Sequence, residues 1–353
     1  MKKIISILLA LAFIFSLTTP LSTKAADWQP VTPTGYMPIT WVKARGVASF
    51  MRAPEKGGYI DYLTVIYLPY NQIKLISSPT SPRAEWGPAI TPFDTVDGAR
   101  NWAVPKLYVE QTKAANPEAQ FLWNVPFFNI TLATTDLSMA LKSSDAQGSY
   151  ITSGSRPAEV ADQPRKVLLI YNETNTAKIV DFDASLFTGM NSADQAVEGF
   201  SPTVTTNGNG GGIARLFLGV RPGGKELIVY CTNGANQQEA SDALLAAGVP
   251  LENQLQADSG TSATCAYNLP GHYFVEPGRN LPYLMAAFPA IPQGTVTLDS
   301  LNVRSGPGTA NKVVDKIKKG TIVKMYEEKN GWTRIDRDEQ RWVSSQYVKK
   351  ITR

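Results

Sequence analysis

The apolar positions of the chain fall mainly into short runs of β-forming residues separated by turns. β-Branched and aromatic side chains dominate these runs, and Gly, Pro, Asn or Ser residues bound most of them, so we predict strands there. The predicted strands are residues 59–68, 73–77, 121–123, 166–171, 177–182 and 227–231. Helical spacing is rarer. It predicts a helix within residues 97–116 that Pro105 interrupts.

A second predicted helix has clear start and stop signals. Asn236 can cap the first free backbone N–H groups, and Glu239 stands three residues later, as in a capping box. Apolar residues then recur at helical spacing up to position 247, and Gly248 suits the left-handed residue after the last turn. This strand–helix unit predicts an α/β main domain, with mixed sheets and helices.

The first residues of the chain have the pattern of a secretory signal. Lys2 and Lys3 precede an apolar run over residues 4–17, and small residues follow at positions 25 and 26. We therefore predict a signal peptide over residues 1–26 and an exported, extracellular protein. The run is too short for a comfortable membrane span, so we expect no transmembrane segment after cleavage.

The last part of the chain is set apart by a Pro- and Gly-containing linker, predicted over residues 289–294. Beyond it, the segments 301–308, 331–335 and 341–348 read Leu-Asn-Val-Arg-Ser-Gly-Pro-Gly, Gly-Trp-Thr-Arg-Ile and Arg-Trp-Val-Ser-Ser-Gln-Tyr-Val. These motifs resemble the bacterial SH3 family. The resemblance implies a small all-β, SH3-like barrel over residues 295–353 that binds peptidoglycan or another wall polymer, and it leaves residues 27–288 as the main domain.

Charge divides the chain in the same way. Residues 295–353 hold 13 Lys and Arg against 7 Asp and Glu, a net charge of +6, whereas residues 26–294 have a net charge of −5. A basic exported module would attract an anionic wall polymer over long range. A solvated surface on a small domain would have the same composition. Nucleic acid is not expected as a partner of an exported chain without a recognised binding fold.

Several motifs of the main domain share one order and spacing with a known family. They are Arg215 with Gly219, Gly234, Glu239, and Asp258 with Gly260 and Ser262, preceded by the segments 124–128 (Asn-Val-Pro-Phe-Phe) and 206–208 (Thr-Asn-Gly). Together they resemble the phosphodiester glycosidases, the N-acetylglucosamine-1-phosphodiester alpha-N-acetylglucosaminidase-like family. The resemblance covers roughly residues 42–287. Ser259 departs from it, because the family usually has glycine at that position.

The resemblance implies a hydrolase that cleaves a sugar-1-phosphodiester, the bond between an anomeric carbon and a phosphodiester oxygen, in envelope or extracellular polysaccharide. Asp258 would then stabilise the developing oxocarbenium ion, and Arg215 would hold the phosphate, because its planar fork suits that group. The predicted substrate-binding residues are Asn124, Phe128, Asn207, Gly260, Ser262 and Glu239. The capping box at the helix start already accounts for Glu239. Neither a metal nor another cofactor is implied. A non-catalytic wall or polysaccharide binding protein on a decayed glycosidase domain is the alternative.

The two cysteines and the single histidine disfavour two classes of enzyme. Cys231 and Cys265 flank the same strand–helix unit in a chain predicted to be exported, so we predict a disulfide between them, with two small core residues as the alternative. A cysteine peptidase is disfavoured because no helix begins at either cysteine to lower the pKa of its thiol. His272 is the only histidine, which argues against a zinc hydrolase. The glycine-rich residues 208–212 lack the Lys-Ser/Thr ending of a phosphate loop.

Overall fold

A computed structural model describes residues 28–41, 44–53, 58–76, 109–124, 128–130, 135–137, 139, 141–143, 163–187, 193–204, 213–269, 271–276, 281, 284–336 and 339–351. The predicted signal peptide and Asn207 therefore lie outside the described residues. Within these ranges, no helix is long and apolar enough to cross a membrane.

Two α-helices and seventeen strands precede the predicted linker within the described residues. The helices are α1 (Val109–Ala115) and α2 (Gln237–Ala246). The strands are β1 (Met37–Pro38), β2 (Val47–Arg52), β3 (Asp61–Tyr67), β4 (Asn71–Ile76), β5 (Phe121–Asn124), β6 (Phe128–Ile130), β7 (Thr135–Leu137), β8 (Leu141–Ser143), β9 (Arg165–Tyr171), β10 (Thr176–Asp181), β11 (Gln195–Phe200), β12 (Ile213–Val220), β13 (Glu226–Ala235), β14 (Gln254–Ser259), β15 (Cys265–Tyr267), β16 (Tyr273–Val275) and β17 (Leu284–Pro289).

These strands form two main sheets. The larger has ten strands in the order β1-β2-β3-β13-β12-β14-β11-β9-β10, with β8 paired to β11. The smaller has five strands in the order β16-β15-β5-β17-β4. A two-stranded pair, β6 with β7, stands apart from both.

The prediction of an α/β main domain is wrong. The described strand pairings are antiparallel, and strands far outnumber helices among the described residues. The reason lies at the β13–α2–β14 unit, which has the sequence pattern of a parallel crossover. Strand β12 lies between β13 and β14 and is antiparallel to both, so α2 connects two strands that do not pair with each other. Local patterns in the sequence carry no information about this inserted strand.

The main core lies between the two sheets, and strand β12 shows how it is built. Leu216, Leu218 and Val220 belong to a cluster that also contains Trp123 from the smaller sheet. Phe217 belongs instead to the cluster on the opposite face, together with the apolar side of α2. Alternate residues of one strand thus serve two cores, as the period of two in a strand requires.

Helix α2 begins and ends as the sequence predicts. The Asn236 side chain accepts a hydrogen bond from the Glu239 amide over 2.9 Å, and Glu239 Oε2 accepts one from the Asn236 amide over 2.8 Å. Gly248 follows the C-cap with φ at +79°, the left-handed conformation that glycine adopts without cost. The apolar residues of α2 pack on β12 and β13.

The C-terminal part forms a separate core of short strands. These strands are β18 (Gln293–Val296), β19 (Ser300–Arg304), β20 (Val313–Lys318), β21 (Ile322–Lys324), β22 (Glu327–Lys329), β23 (Trp332–Arg334), β24 (Trp342–Ser344) and β25 (Val348–Lys350). They form a three-stranded sheet, β21-β18-β25, and a five-stranded sheet, β20-β19-β24-β23-β22. The all-β prediction is confirmed, but these described strands do not close into the predicted barrel because two separate sheets face a shared core.

Candidate active site

Asp258 lies near the end of β14 with a side chain that is only 2% exposed. A register shift in the pairing with β12 places it opposite Leu216. Residues directly opposite on antiparallel strands share a face, and Leu216 belongs to the core between the two sheets. Asp258 therefore points toward the smaller sheet.

Asn124, the last residue of β5, meets Asp258 across that core. Its Nδ2 donates a hydrogen bond to Asp258 Oδ2, and the Ser259 amide donates to Asp258 Oδ1 over 2.7 Å. Asn124 Oδ1 in turn accepts a hydrogen bond from the Thr264 amide over 2.8 Å. A buried carboxylate needs such donors, because desolvation without them is costly. The result is a carboxylate whose two oxygens are both fixed by donors.

Arg215 occupies the neighbouring strand but the other face of the sheet. It precedes Leu216, and it alternates with Phe217 and Gly219, both of which face α2. The side chain is fully buried, and its Nε donates a hydrogen bond to the Ala235 carbonyl over 3.0 Å. Burial lowers the pKa of Arg215, and the nearby Tyr230 acts in the opposite direction. The two residues predicted as catalytic thus lie on adjacent strands, with side chains on opposite faces.

Arg215 belongs to a polar row that crosses five neighbouring strands on the α2 face. Arg52, Asp61, Thr232, Arg215 and Ser259 stand directly opposite one another from β2 to β14. All of them except Arg52 are buried. Local sequence patterns do not reveal this row, because its members come from strands whose pairing such patterns do not determine.

Asp61 is the best-defined member of the row. Tyr230 Oη donates a hydrogen bond to Asp61 Oδ1 over 2.8 Å, and Arg52 Nε donates to Oδ2 over 3.0 Å. Burial raises the pKa of Tyr230, and the charge of Asp61 adds to the shift. The phenol therefore stays protonated and acts as a donor, so these contacts stabilise the sheet around Arg215.

The glycines of the family-like motifs have packing explanations. A Cβ on Gly219 would lie 2.9 Å from Val249 Cγ1, so this glycine lets the segment after α2 approach β12 closely. A Cβ on Gly234 would lie 2.1 Å from the ring of Tyr59. Gly260 differs: its φ is +70°, and a Cβ there would meet nothing within 4 Å. Gly260 thus has a left-handed backbone conformation, and the space beside its Cα is open.

The remaining predicted substrate residues are scattered. Ser262 is buried in the short 3-10 turn after β14, so it lies near Asp258 in the chain. Glu239 is exposed on the first turn of α2, where the capping box accounts for it. Phe128 begins β6, paired with Leu137, and the structure describes its backbone alone. Ser259 has extended backbone with φ at −156°, so serine in place of the family's glycine causes no strain there.

The two cysteines connect the sheets beside this site. Cys231 of β13 lies opposite Leu216, and Cys265 of β15 lies opposite Trp123 of β5. The structure joins their sulfur atoms in a disulfide, with the Cα atoms 6.5 Å apart. The bond therefore links the strand next to β12 with the strand next to Asn124.

Comparison with known proteins gives a family for the C-terminal part. Residues 299–349 match the family model of the bacterial SH3 domain. This segment is a bacterial SH3 domain. Within the SH3 domain, Arg304 Nη1 donates hydrogen bonds to the carbonyls of Thr309 and Asn311 over 2.8 and 2.7 Å. The Arg-Ser-Gly-Pro-Gly motif found in the sequence thus fixes the loop after β19.

The main domain has a distant structural neighbour. No curated protein matches the chain. Among solved structures, the catalytic domain of zebrafish N-acetylglucosamine-1-phosphodiester alpha-N-acetylglucosaminidase, auto-inhibited by its pro-peptide, matches with a TM-score of 0.43 and 12% identity. The match covers 70% of this chain and 84% of that chain. At this level of similarity, an activity has to be argued from the residues of this chain.

Proposed function

We propose that this chain is an exported cell-envelope hydrolase that cleaves a sugar-1-phosphodiester, with Asp258 at its centre. The observation that supports the proposal is the contact between Asn124 and Asp258. These residues come from two motifs 134 positions apart in the sequence, and they meet in one buried pair. Both residues belong to motifs that carry the family resemblance.

The chemistry requires one well-oriented carboxylate. The leaving group is a phosphate monoester, a weak base that departs readily, so a strong general acid is less necessary than in ordinary glycoside hydrolysis. The barrier then depends on stabilising positive charge at the anomeric carbon. Donors to both oxygens of Asp258 fix its direction, which is the preorganisation that such stabilisation needs.

Arg215 has two roles that an experiment can separate. If its fork binds the substrate phosphate, the Arg215→Lys variant should lose kcat/KM on phosphodiesters far more than on neutral glycosides. If it positions the ends of β12 and β13 through the Ala235 carbonyl, both substrate classes should lose equally. Its place on the α2 face favours the positioning role.

The test of the hydrolase is turnover of a panel of sugar-1-phosphodiesters by the purified protein. We expect Asp258→Asn to lower kcat by about 10²–10³-fold or more, with a smaller change in KM, because the charge acts chiefly in the transition state. Asp242→Asn makes the same chemical change at an exposed position of α2 and should leave kcat unchanged. Circular dichroism checks the fold. Near-normal kcat in the Asp258→Asn variant would remove this residue from the mechanism.

One observation favours the alternative, a non-catalytic polysaccharide-binding protein. Asp258 is 2% exposed, and Arg215 is fully buried on the other face, so the pair does not open into one pocket. In that case the polar network is structural. Wild-type protein that binds polysaccharide through residues 27–288 but turns over no member of the panel would favour this reading.

The SH3 domain supports a location at the cell wall. Residues 295–353, which contain the SH3 domain, have a net charge of +6, and this charge would attract an anionic wall polymer. We expect deletion of residues 293–353, which starts at the first residue of β18, to abolish pull-down by purified cell walls. Turnover of a short soluble substrate should remain. Equal wall binding by the shortened protein would reject the anchoring role.

A further inference from the structure

A cleft of about 220 Å³ lies where the main sheets meet the SH3 domain. One wall comes from the main domain and includes Arg45 and Tyr70. The other comes from β18 and the end of β25, and includes Gln293 and Lys350. The connecting residues 290–292 form its floor. Neither the family match nor the candidate active site involves this cleft.

Backbone hydrogen bonds order the residues on each side of the cleft. The Ala290 amide donates to the Tyr70 carbonyl over 2.8 Å, and the Ile351 amide donates to the Gln293 carbonyl over 2.8 Å. Only residues 290–292 separate β17 from β18. The predicted linker is therefore a short connection, and its first residue is bonded to the main-domain wall.

The cleft is basic, with no acid among the residues that line it. The guanidinium carbon of Arg45 lies 4.1 Å from the centroid of the Tyr70 ring. Neither Arg45 nor Lys350 forms an ion pair with any residue that the structure describes. A guanidinium stacked on an aromatic ring keeps its N–H groups available around its edge. Two uncompensated cations in a concave site focus an attraction for anions.

We propose that this cleft binds a phosphate group of an anionic, phosphodiester-linked glycan, so that the main domain and the SH3 domain hold one polymer together. The choice of a glycan rests on the function proposed above, whereas the preference for a phosphate rests on the cleft itself. The volume is below the roughly 300–1,000 Å³ of typical small-molecule sites, so the cleft suits one phosphate with part of a sugar ring. Arg45 would donate two parallel hydrogen bonds, and Lys350 would contribute a point charge.

The neighbouring Lys349 provides a matched control. It is exposed on the same strand, β25, and carries the same charge, but it does not line the cleft. Because successive side chains of a strand point to opposite faces, Lys349 and Lys350 face different ways. A loss of binding that depends on the cleft should therefore separate the two residues.

The experiment measures equilibrium binding of a soluble oligosaccharide with phosphodiester linkages to the full chain. We expect Lys350→Ala and Arg45→Gln each to weaken binding about tenfold or more, because a charge-assisted contact is lost. Lys349→Ala should change the Kd less than about twofold, because Lys349 does not line the cleft. Thermal melts establish that the variants are folded, and Arg45→Lys, which keeps a charge, should recover part of the affinity.

Two further arms define the ligand. A neutral oligosaccharide of similar length should not bind the cleft, and inorganic phosphate should compete only at far higher concentration than the oligomer. Equal losses in Lys349→Ala and Lys350→Ala, or equal affinity for the neutral oligosaccharide, would overturn the proposal. Equal competition by inorganic phosphate would also overturn it, because the cleft would then recognise a free ion. Binding is measured without turnover, so an inactive wild-type protein would remove the hydrolase proposal alone.

Discussion

Replacement of Asn124 by aspartate tests whether Asp258 is a charged group in a buried site. The two side chains have nearly the same shape, so the change replaces an N–H donor by a carboxylate. The introduced carboxylate keeps an oxygen for the Thr264 amide. On its other side, where Asn124 Nδ2 donates to Asp258 in the wild type, two carboxylates would now meet.

The expected penalty follows from burial. Desolvation and a like charge raise the pKa of a buried carboxyl by up to about 3–5 units, and each unit corresponds to about 1.4 kcal/mol. The N124D variant should therefore lose up to about 4–5.5 kcal/mol of unfolding free energy at pH 8, where at most about four units of the shift are expressed. A carboxyl whose pKa is higher in the folded state destabilises the fold above its unfolded-state pKa, and the penalty grows until the pH passes the folded-state pKa. The penalty shrinks as the pH falls, and it vanishes below the unfolded-state value of about 4.

The assay is urea unfolding at pH 5.5 and pH 8, on wild type, N124D and Asn124→Ala. The alanine variant loses the same hydrogen bonds without adding a charge, so its penalty, about 1–3 kcal/mol for each buried group left unpaired, should depend on pH less than that of N124D. We expect N124D to regain stability relative to the alanine variant as the pH falls. A loss in N124D that is the same at both pH values would refute the reasoning, because the introduced carboxyl would then face no charged neighbour.

Two other predictions concern the scaffold around the site. The disulfide between Cys231 and Cys265 closes a loop over 34 positions, so its reduction should lower the free energy of unfolding by roughly 4 kcal/mol in the chain-entropy model. Alkylation without reductant, followed by intact-mass measurement, checks the bond. Two alkylated thiols in that measurement would exclude it. Gly219→Ala should cost about 1–3 kcal/mol of unfolding free energy, because the new methyl meets Val249 at 2.9 Å. Equal urea midpoints for wild type and Gly219→Ala would contradict this close approach. Gly260→Ala should cost about 1–2 kcal/mol through backbone strain alone, because Gly260 lies in open space with φ at +70°.

The sequence determined the features that depend on neighbours in the chain. The capping box of Asn236 and Glu239 is present in the structure, and Gly248 has the predicted left-handed backbone. The strands β4, β5, β9 and β10 lie within a residue or two of their predicted bounds. The SH3 motifs identified their domain. Each of these features needs only a few consecutive residues, since caps, turns and β-forming runs act over one or two turns of chain.

Tertiary structure alone decided how these pieces combine. Insertion of β12 between β13 and β14 turned an expected α/β unit into an antiparallel sheet, and the same register sent Arg215 and Asp258 to opposite faces. Strand pairing joins residues far apart in sequence, and a shift of one residue reverses which face a side chain occupies. The contact of Asp258 with Asn124 and the basic cleft beside Lys350 both depend on such pairings, so no local pattern contains them.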